Sequence, residues 1–305
     1  MLAKLGIGGP PLLTGKIWRW LIGAPRHPLP TLERWPIPLP RSPALTTADL
    51  LRALVPSPDA APASAAVTLV GVGPGDPELI TVAALRAIAS AATVAYPVAR
   101  PDAEGMAATI AAPWIAAGQR RLPLLFPMVA DVAPRLEAWR AAAQALAAEV
   151  AAGRSVVLLC EGDASLYASC SYALLALARH HPACPVRVLP GITAVAAAAA
   201  AASWPLVLQQ ESLLIRPTPE RPAELEALLQ RAATETTVLA LLKLGHRWSW
   251  VRPLLAAHGV LEDSLFARRV GWPDQVLKPA AAVPAEAQPY FSLLLIRQCW
   301  PAVLP

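Results

Sequence analysis

Three short stretches of this 305-residue chain hold residue types and spacings that could do chemistry. The first reads Gly71-Val-Gly73-Pro74-Gly75-Asp76-Pro77-Glu78-Leu79 and follows the apolar run Val67-Thr-Leu-Val70. Gly71, Gly73 and Gly75 let backbone approach a ligand closely, and Asp76 before Pro77 fits an N-cap with proline at the first helical position. A dinucleotide-binding turn would carry glycine at position 76, and a P-loop would carry Lys followed by Ser or Thr, so neither fits. An acidic cap also competes with a phosphate for the helix-terminal N–H groups, which favours a neutral or cationic ligand. Taken alone, the same residues also make an ordinary strand-to-helix turn.

The second stretch is Glu161-Gly162-Asp163-Ala-Ser-Leu166-Tyr167-Ala-Ser169, after the apolar run 155–160. The third is Pro190-Gly191-Ile-Thr193-Ala194, after the run 186–189. Three apolar strands therefore end in polar or glycine turns. In an open α/β sheet such turns gather beyond the carboxyl ends of the strands, where ligands bind. The elements needed to position them are legible: strands near 67, 93, 120, 155 and 186 alternate with helical patterns over 76–90, 102–115, 131–152, 165–180 and 192–203. That order predicts a mostly parallel sheet with helices on both faces. After Trp204-Pro205-Leu206 the character changes, and 211–216, 236–242, 264–268 and 290–297 read as strands of a second sheet. The expectation is an N-terminal α/β domain over 67–205 and a C-terminal α/β domain over 206–305.

The order of these turns resembles the tetrapyrrole (corrin/porphyrin) methylase family, whose members move a methyl group from S-adenosylmethionine. The loop at 71–79, Glu161-Gly162-Asp163 and Pro190-Gly191-Ile-Thr193 carry that resemblance. Val94-Ala-Tyr96-Pro97, Leu124-Leu-Phe126-Pro127-Met128 and the ending Tyr290-Phe-Ser-Leu-Leu-Leu-Ile-Arg297 narrow it to the precorrin-2 C-20 methyltransferases of cobalamin synthesis. It covers about residues 67 to 297, and the chain departs from many relatives at Ala164-Ser165, where they have proline and a bulky residue.

The resemblance implies two α/β domains with the S-adenosylmethionine site in the interdomain cleft, and a homodimer. It places Gly73, Pro74, Gly75, Glu161, Gly162, Asp163, Leu166, Thr193, Ala194, Leu242 and Val270 at cofactor-contacting positions. For Asp163 a turn-forming role competes with a contact to the donor. Methylation of precorrin-2 at C-20 is the implied activity; cobalt-factor II, an RNA substrate, and a carrier without catalysis are the other readings. Methyl transfer from a sulfonium needs alignment and exclusion of water, with no nucleophilic side chain, so no catalytic residue is named, and the residues single out no general base, Tyr96 and Glu161 being guesses at one. Tyr96 and Tyr167 are candidates to line a flat macrocycle, with core packing as the alternative. The substrate's acetate and propionate groups call for cations at the cleft rim. Lys243 and Arg268 head that set, which also includes Arg100, Arg247 and Arg269, with solvated surface charge the alternative for each.

Composition fits a sizeable core, at 55% hydrophobic residues. The longest apolar run, 192–204, is shorter than the roughly 20 residues of a spanning helix, so no transmembrane segment is expected. Cys160, Cys170, Cys184 and Cys299 show no paired spacing, which suggests reduced thiols in a cytoplasmic protein and no metal centre. His180-His181 with Cys184 most resembles a ligand cluster, yet it sits where a helix should end before Pro182. Residues 1–66 hold twelve of the 34 prolines, and their seven Lys/Arg against three Asp/Glu supply +4 of the formal charge of +5. This basic extension is expected to be disordered, with Trp18 and Trp20 in a short segment that could contact a membrane or partner. The remainder is near neutral, which disfavours nucleic acid as a partner.

Overall fold

The structure, a computed structural model, describes residues 64–300, so the expectations for the basic extension fall outside the described residues up to position 63. Two five-stranded sheets organise the rest. The first contains β1 (Val67–Gly71), β2 (Thr93–Val98), β3 (Arg120–Leu125), β4 (Val156–Cys160) and β5 (Val186–Leu189) in the order β3-β2-β4-β1-β5, every pairing parallel. Its central strands β1 and β4 are buried over all five residues. A parallel strand covered on both faces requires such an uninterrupted apolar run.

Helices α1 (Val82–Ser90) and α2 (Met106–Ala111) cover one face of this sheet through Leu85, Ile88 and Ile110, packed on Val70, Val94 and Leu159. Helices α3 (Val132–Ala151) and α4 (Cys170–His180) cover the other through Leu146, Ala173 and Leu177, packed on Leu69 and Leu158. The helix expected from Asp76 starts later. Asp76 caps only the 3-10 turn Pro77–Leu79, and Ile80 is already extended; Thr81 then caps α1 by accepting from the Ala84 amide at 3.2 Å. The helix expected from 165 likewise begins at Cys170, because Tyr167 sits at φ 53° and interrupts it.

The second sheet is mixed, in the order β6-β7-β10-β8-β9. Strands β6 (Ser212–Pro217) and β7 (Thr237–Leu242) run parallel, β10 (Ser292–Ile296) runs antiparallel to β7 and to β8 (Ser264–Arg268), and β9 (Val276–Pro279) forms an antiparallel edge. Helices α6 (Pro222–Thr234) and α7 (Trp248–Ala257) fill one face with Leu225, Leu229, Trp248 and Leu255. The other face rests on α5 (Ala194–Ala201), a helix that follows β5 in sequence yet packs Val195, Ala197 and Ala198 against Val238, Ala240 and Leu295. Alanine side chains let this helix lie close to the sheet, so the two halves share a dry seam. The segment leaving α5 is fixed by Arg297, which is 1% exposed and donates to both Glu211 carboxylate oxygens at 2.8 and 2.7 Å. Its guanidinium lies 4.4 Å from the Trp204 ring centre.

Beyond the carboxyl ends of β4, β1 and β5 the three glycine corners meet. A Cβ on Gly71 would lie 2.6 Å from the Gly191 nitrogen and 2.8 Å from the Gly162 carbonyl oxygen, while one on Gly191 would lie 2.7 Å from the Gly71 carbonyl carbon. Gly73 and Gly162 exchange backbone hydrogen bonds of 3.1 and 2.7 Å. No side chain fits on Gly71 or Gly191. Gly191→Ala should therefore destabilise the protein by about 1–3 kcal/mol through overpacking, read as a lower urea midpoint with unchanged m-value.

At the opposite end of the sheet the buried Glu149 accepts from Arg154 at 2.7 and 3.0 Å and from Thr93 Oγ1 at 2.6 Å, with Arg120 at 3.3 Å. The Arg154 hydrogen bond outweighs burial and, with Thr93 and Arg120, holds its carboxyl at about 2. A carboxyl depressed in the folded state stabilises above its ordinary value, and that stability is lost as pH falls toward the folded value. Glu149→Gln should cost about 2–4 kcal/mol at pH 7. The gap to the unmodified protein should narrow at pH 3, measured by urea unfolding at both pH values.

Candidate active site

A cleft of about 590 Å³ opens directly above the glycine corners and takes its walls from both halves of the chain. From the first half come Pro74, Glu161, Gly162, Asp163, Leu166, Tyr167, Thr193 and Ala194, and from the second Leu242, Lys243 and Val270. Pro97, Phe126 and Met128, distant in sequence from all of these, also line it. Gly73 and Gly75 lie beneath: Gly73 pairs with Gly162, and a Cβ on Gly75 would lie 2.5 Å from the Trp272 ring. Tyr96 and Arg268 are not brought to the cleft. The Tyr96 ring lies where a Cβ on Gly105 would approach within 2.6 Å, and it packs on the core beside α1 and α2. Arg268 remains in the ladder of β8 opposite Ser292, its Nε buried without a hydrogen-bond partner among the described residues.

Arg269, one residue beyond β8, lines the cleft instead. It stands at φ 46°, and Lys243, one residue beyond β7, stands at φ 58°. With Tyr167 at φ 53°, three side chains are held on the cleft wall by left-handed backbone. That conformation is disfavoured outside glycine and persists only where the surroundings impose it. The surroundings are visible. Arg269 Nε donates to Asp274 Oδ1 at 2.7 Å and its guanidinium lies 4.7 Å from the Trp272 ring centre. Trp272 Nε1 donates to the Pro74 carbonyl at 3.0 Å, and Tyr167 Oη donates to the Ile215 carbonyl at 3.1 Å. Lys243 Nζ lies 5.8 Å from the Tyr290 ring centre. Two clasps thus join the halves across the cleft. Of the other rim cations, Arg247 is paired with Glu220 and Arg100 is exposed outside the lining.

The two acids after β4 differ. Asp163 is buried; its Oδ2 accepts from the Gly191 amide at 2.8 Å and its Oδ1 accepts from the Ser165 amide at 2.8 Å and from the Ser165 hydroxyl. Burial raises its pKa, but the Ser165, Gly191 and Leu166 hydrogen bonds prevail and hold the carboxyl below its usual range. This is turn-forming geometry, tying the second corner to the third. Glu161 accepts no hydrogen bond from the described residues; burial pushes its carboxyl up to about 7, with the Arg269 charge acting against that rise. Thr193 spends its hydroxyl on capping α5 through the Ala196 amide at 3.1 Å.

The donor implied by the resemblance carries a sulfonium, neutral hydroxyls and no phosphate, and the cleft fits it. Its floor is backbone, its walls include Leu166, Leu242, Val270 and Leu293, and it holds no phosphate cradle. Trp272 carried no signal of function in the sequence beyond its place after Gly271 at a strand end, yet it locks the Gly-Pro-Gly loop. Behind it lies a second hollow of about 700 Å³, lined by Ile192 and alanines of α5. The polar side chains there, Asp76 and Gln275, already accept from the Glu78 and Gly271 amides, so no polar groups converge. His180 ends α4, and no three ligands of a metal gather among the described residues.

Residues 66–282 match the family model Tetrapyrrole (Corrin/Porphyrin) Methylases. Cobalamin biosynthesis protein CobIJ of Mycobacterium bovis is 36% identical over 235 residues, covering 74% of this chain; the chain spans 45% of that longer relative. Precorrin-2 C(20)-methyltransferase of Sinorhizobium sp is 32% identical over 235 residues, covering 74% of this chain and 93% of the relative. Among solved structures, the methyltransferase CobJ superposes with a TM-score of 0.55 at 27% identity, over 76% of this chain and 93% of that one. The overall architecture is thus that of a known fold, and the chain belongs to the tetrapyrrole methylase family.

Proposed function

We propose that this protein transfers the methyl group of S-adenosylmethionine to C-20 of precorrin-2. The observation that carries the reading is one cleft, walled by both halves, in which a backbone floor built by three glycine corners faces two cations on left-handed backbone. The likeness to a protein named for that reaction over nearly its full length supports the substrate. When bound, the donor supplies an electrophilic methyl group. The chain's own part is to align and to dry the site. Pro74, Gly162, Leu166, Thr193, Ala194, Leu242 and Val270 line the donor half, where apolar walls exclude water and shorten the approach of the reacting carbons. Lys243 and Arg269 pair with the carboxylates of the macrocycle, and Tyr167 and Tyr290 lie along its faces.

The protein acts as a homodimer in the cytoplasm under this reading, and among the described residues no helix is long and apolar enough to cross a membrane.

Incubation of the purified chain with donor and precorrin-2 should yield a product heavier by one methyl in place of one hydrogen. The cobalt-bearing macrocycle is the second arm, and transfer only to it moves the assignment to the chelate. Absence of transfer to both rejects the reading. Lys243→Met and Arg269→Met should each raise KM for the macrocycle about 10- to 100-fold, the loss of one charge-assisted hydrogen bond. The affinity for S-adenosylhomocysteine, followed by calorimetry, should stay within about threefold.

A further inference from the structure

Methyl transfer to a bridging ring carbon leaves a proton to be removed, and Glu161, an acid of the cleft wall, accepts no hydrogen bond from the described residues. We propose that the Glu161 carboxylate is the base that takes this proton. The inference rests on the methyl-transfer reading above and adds the residue that completes it.

The balance is explicit. The ring carbon's π electrons form the new bond to the methyl carbon, and the broken carbon–sulfur bond leaves its pair on sulfur. The macrocycle then carries a positive charge. It is discharged when the hydrogen on the same carbon departs as a proton to a Glu161 oxygen and the C–H pair returns to the ring. The resulting carboxylic acid gives its proton to water when the product leaves. No oxidant, metal or further reactant enters.

Position supports the assignment. Glu161 immediately follows β4, so its backbone is fixed by the central strand and by the Gly162–Gly73 bridge, while its side chain lines the cleft. Other groups facing it are already engaged or belong to the rim. Asp163 is bound by Ser165 and Gly191. Glu104 is exposed, and Cys160 and Cys170 are buried thiols whose sulfurs donate to carbonyls of β4. Tyr167 is tied to Ile215, and Tyr290 lies under Lys243. Of the cations, Arg269 acts on the Glu161 charge and is anchored by Asp274, and Lys243 lines the same cleft. A carboxylate with no hydrogen bond from the described residues, in a cleft lined mostly by apolar side chains, is a strong proton acceptor. Burial sets its pKa near 7, where acceptor and acid forms are both populated at neutral pH.

The test uses the full chain with precorrin-2 and donor in single turnover, from pH 5.5 to 8.5. The unmodified protein should gain tenfold in rate per pH unit up to about 7 and then level. Glu161→Gln should lose about 10²- to 10⁴-fold, with a flat profile and donor affinity within about threefold by calorimetry. Glu161→Asp should recover part of the rate with a displaced profile. Independently of turnover, infrared difference spectra of the ligand-free protein should show a protonated carboxyl band that titrates near pH 7 and is missing in Glu161→Gln. A Glu161→Gln protein with wild-type rate and pH profile overturns the proposal. So does one that keeps the pH profile and loses donor affinity tenfold or more, which would make Glu161 a donor contact. No transfer by the unmodified protein rejects the methyl-transfer reading instead, and the infrared band still reports on Glu161.

Discussion

The approach of Gly71 to Gly191, with the Gly162 carbonyl wedged against both, is the constraint on which the rest of the structure depends. Adjacent parallel strands run about 4.8 Å apart, and the residues leaving β4, β1 and β5 either diverge or meet. Here they meet, which is possible only without a Cβ on Gly71 and Gly191, while Gly162 is set by its φ of 68°. The Asp163 carboxylate then secures the junction from the side by accepting the Gly191 amide. One consequence is a cleft floor made of backbone, fixed in position and short of reactive side chains. Such a floor suits a reaction that needs alignment more than covalent help.

The second half of the chain closes this floor into a cleft by two kinds of contact. Under the sheet, α5 presents alanines that allow close packing. Over the corners, Trp272 bonds to the Pro74 carbonyl and occupies the space a side chain on Gly75 would need. Arg269 stacks on the same Trp272 and holds Asp274, so the residue that points a cation into the cleft is also part of the clasp. The left-handed backbone of Arg269 is thus maintained by contacts within its own loop. Two charges, those of Lys243 and Arg269, are placed on the wall of one cleft.

Much of this was legible in the residues, and for identifiable reasons. Apolar runs leading into glycine turns marked β1, β4 and β5, and the unbroken apolar character of β1 and β4 follows from burial on both faces. Helix starts were less legible. Asp76-Pro77 carries a full capping signature, yet it is used for a single 3-10 turn before Thr81 begins α1. Edge strand β9 is four residues long and half-exposed, which leaves little pattern to read. Helices α6 and α7 were also missed, although Pro222 and Glu224 mark the first turn of α6. Arg268 and Arg269 are alike in sequence; a positive φ at the second decides which one reaches the cleft. Tyr96 has the character of a ring-stacking residue but packs over Gly105. The resemblance named part of the cleft lining, while the carboxyl of Glu161, free among the described residues, and the Trp272 clasp needed three dimensions.

A crystal structure with S-adenosylhomocysteine tests the central claim most directly. The account predicts the ligand in the 590 Å³ cleft, against the turn from Gly162 to Leu166 on one side and Val270 on the other, with Gly71 and Gly191 still in contact beneath it. Ligand density in the hollow behind Trp272, or parted glycine corners with the ligand bound elsewhere, would contradict it.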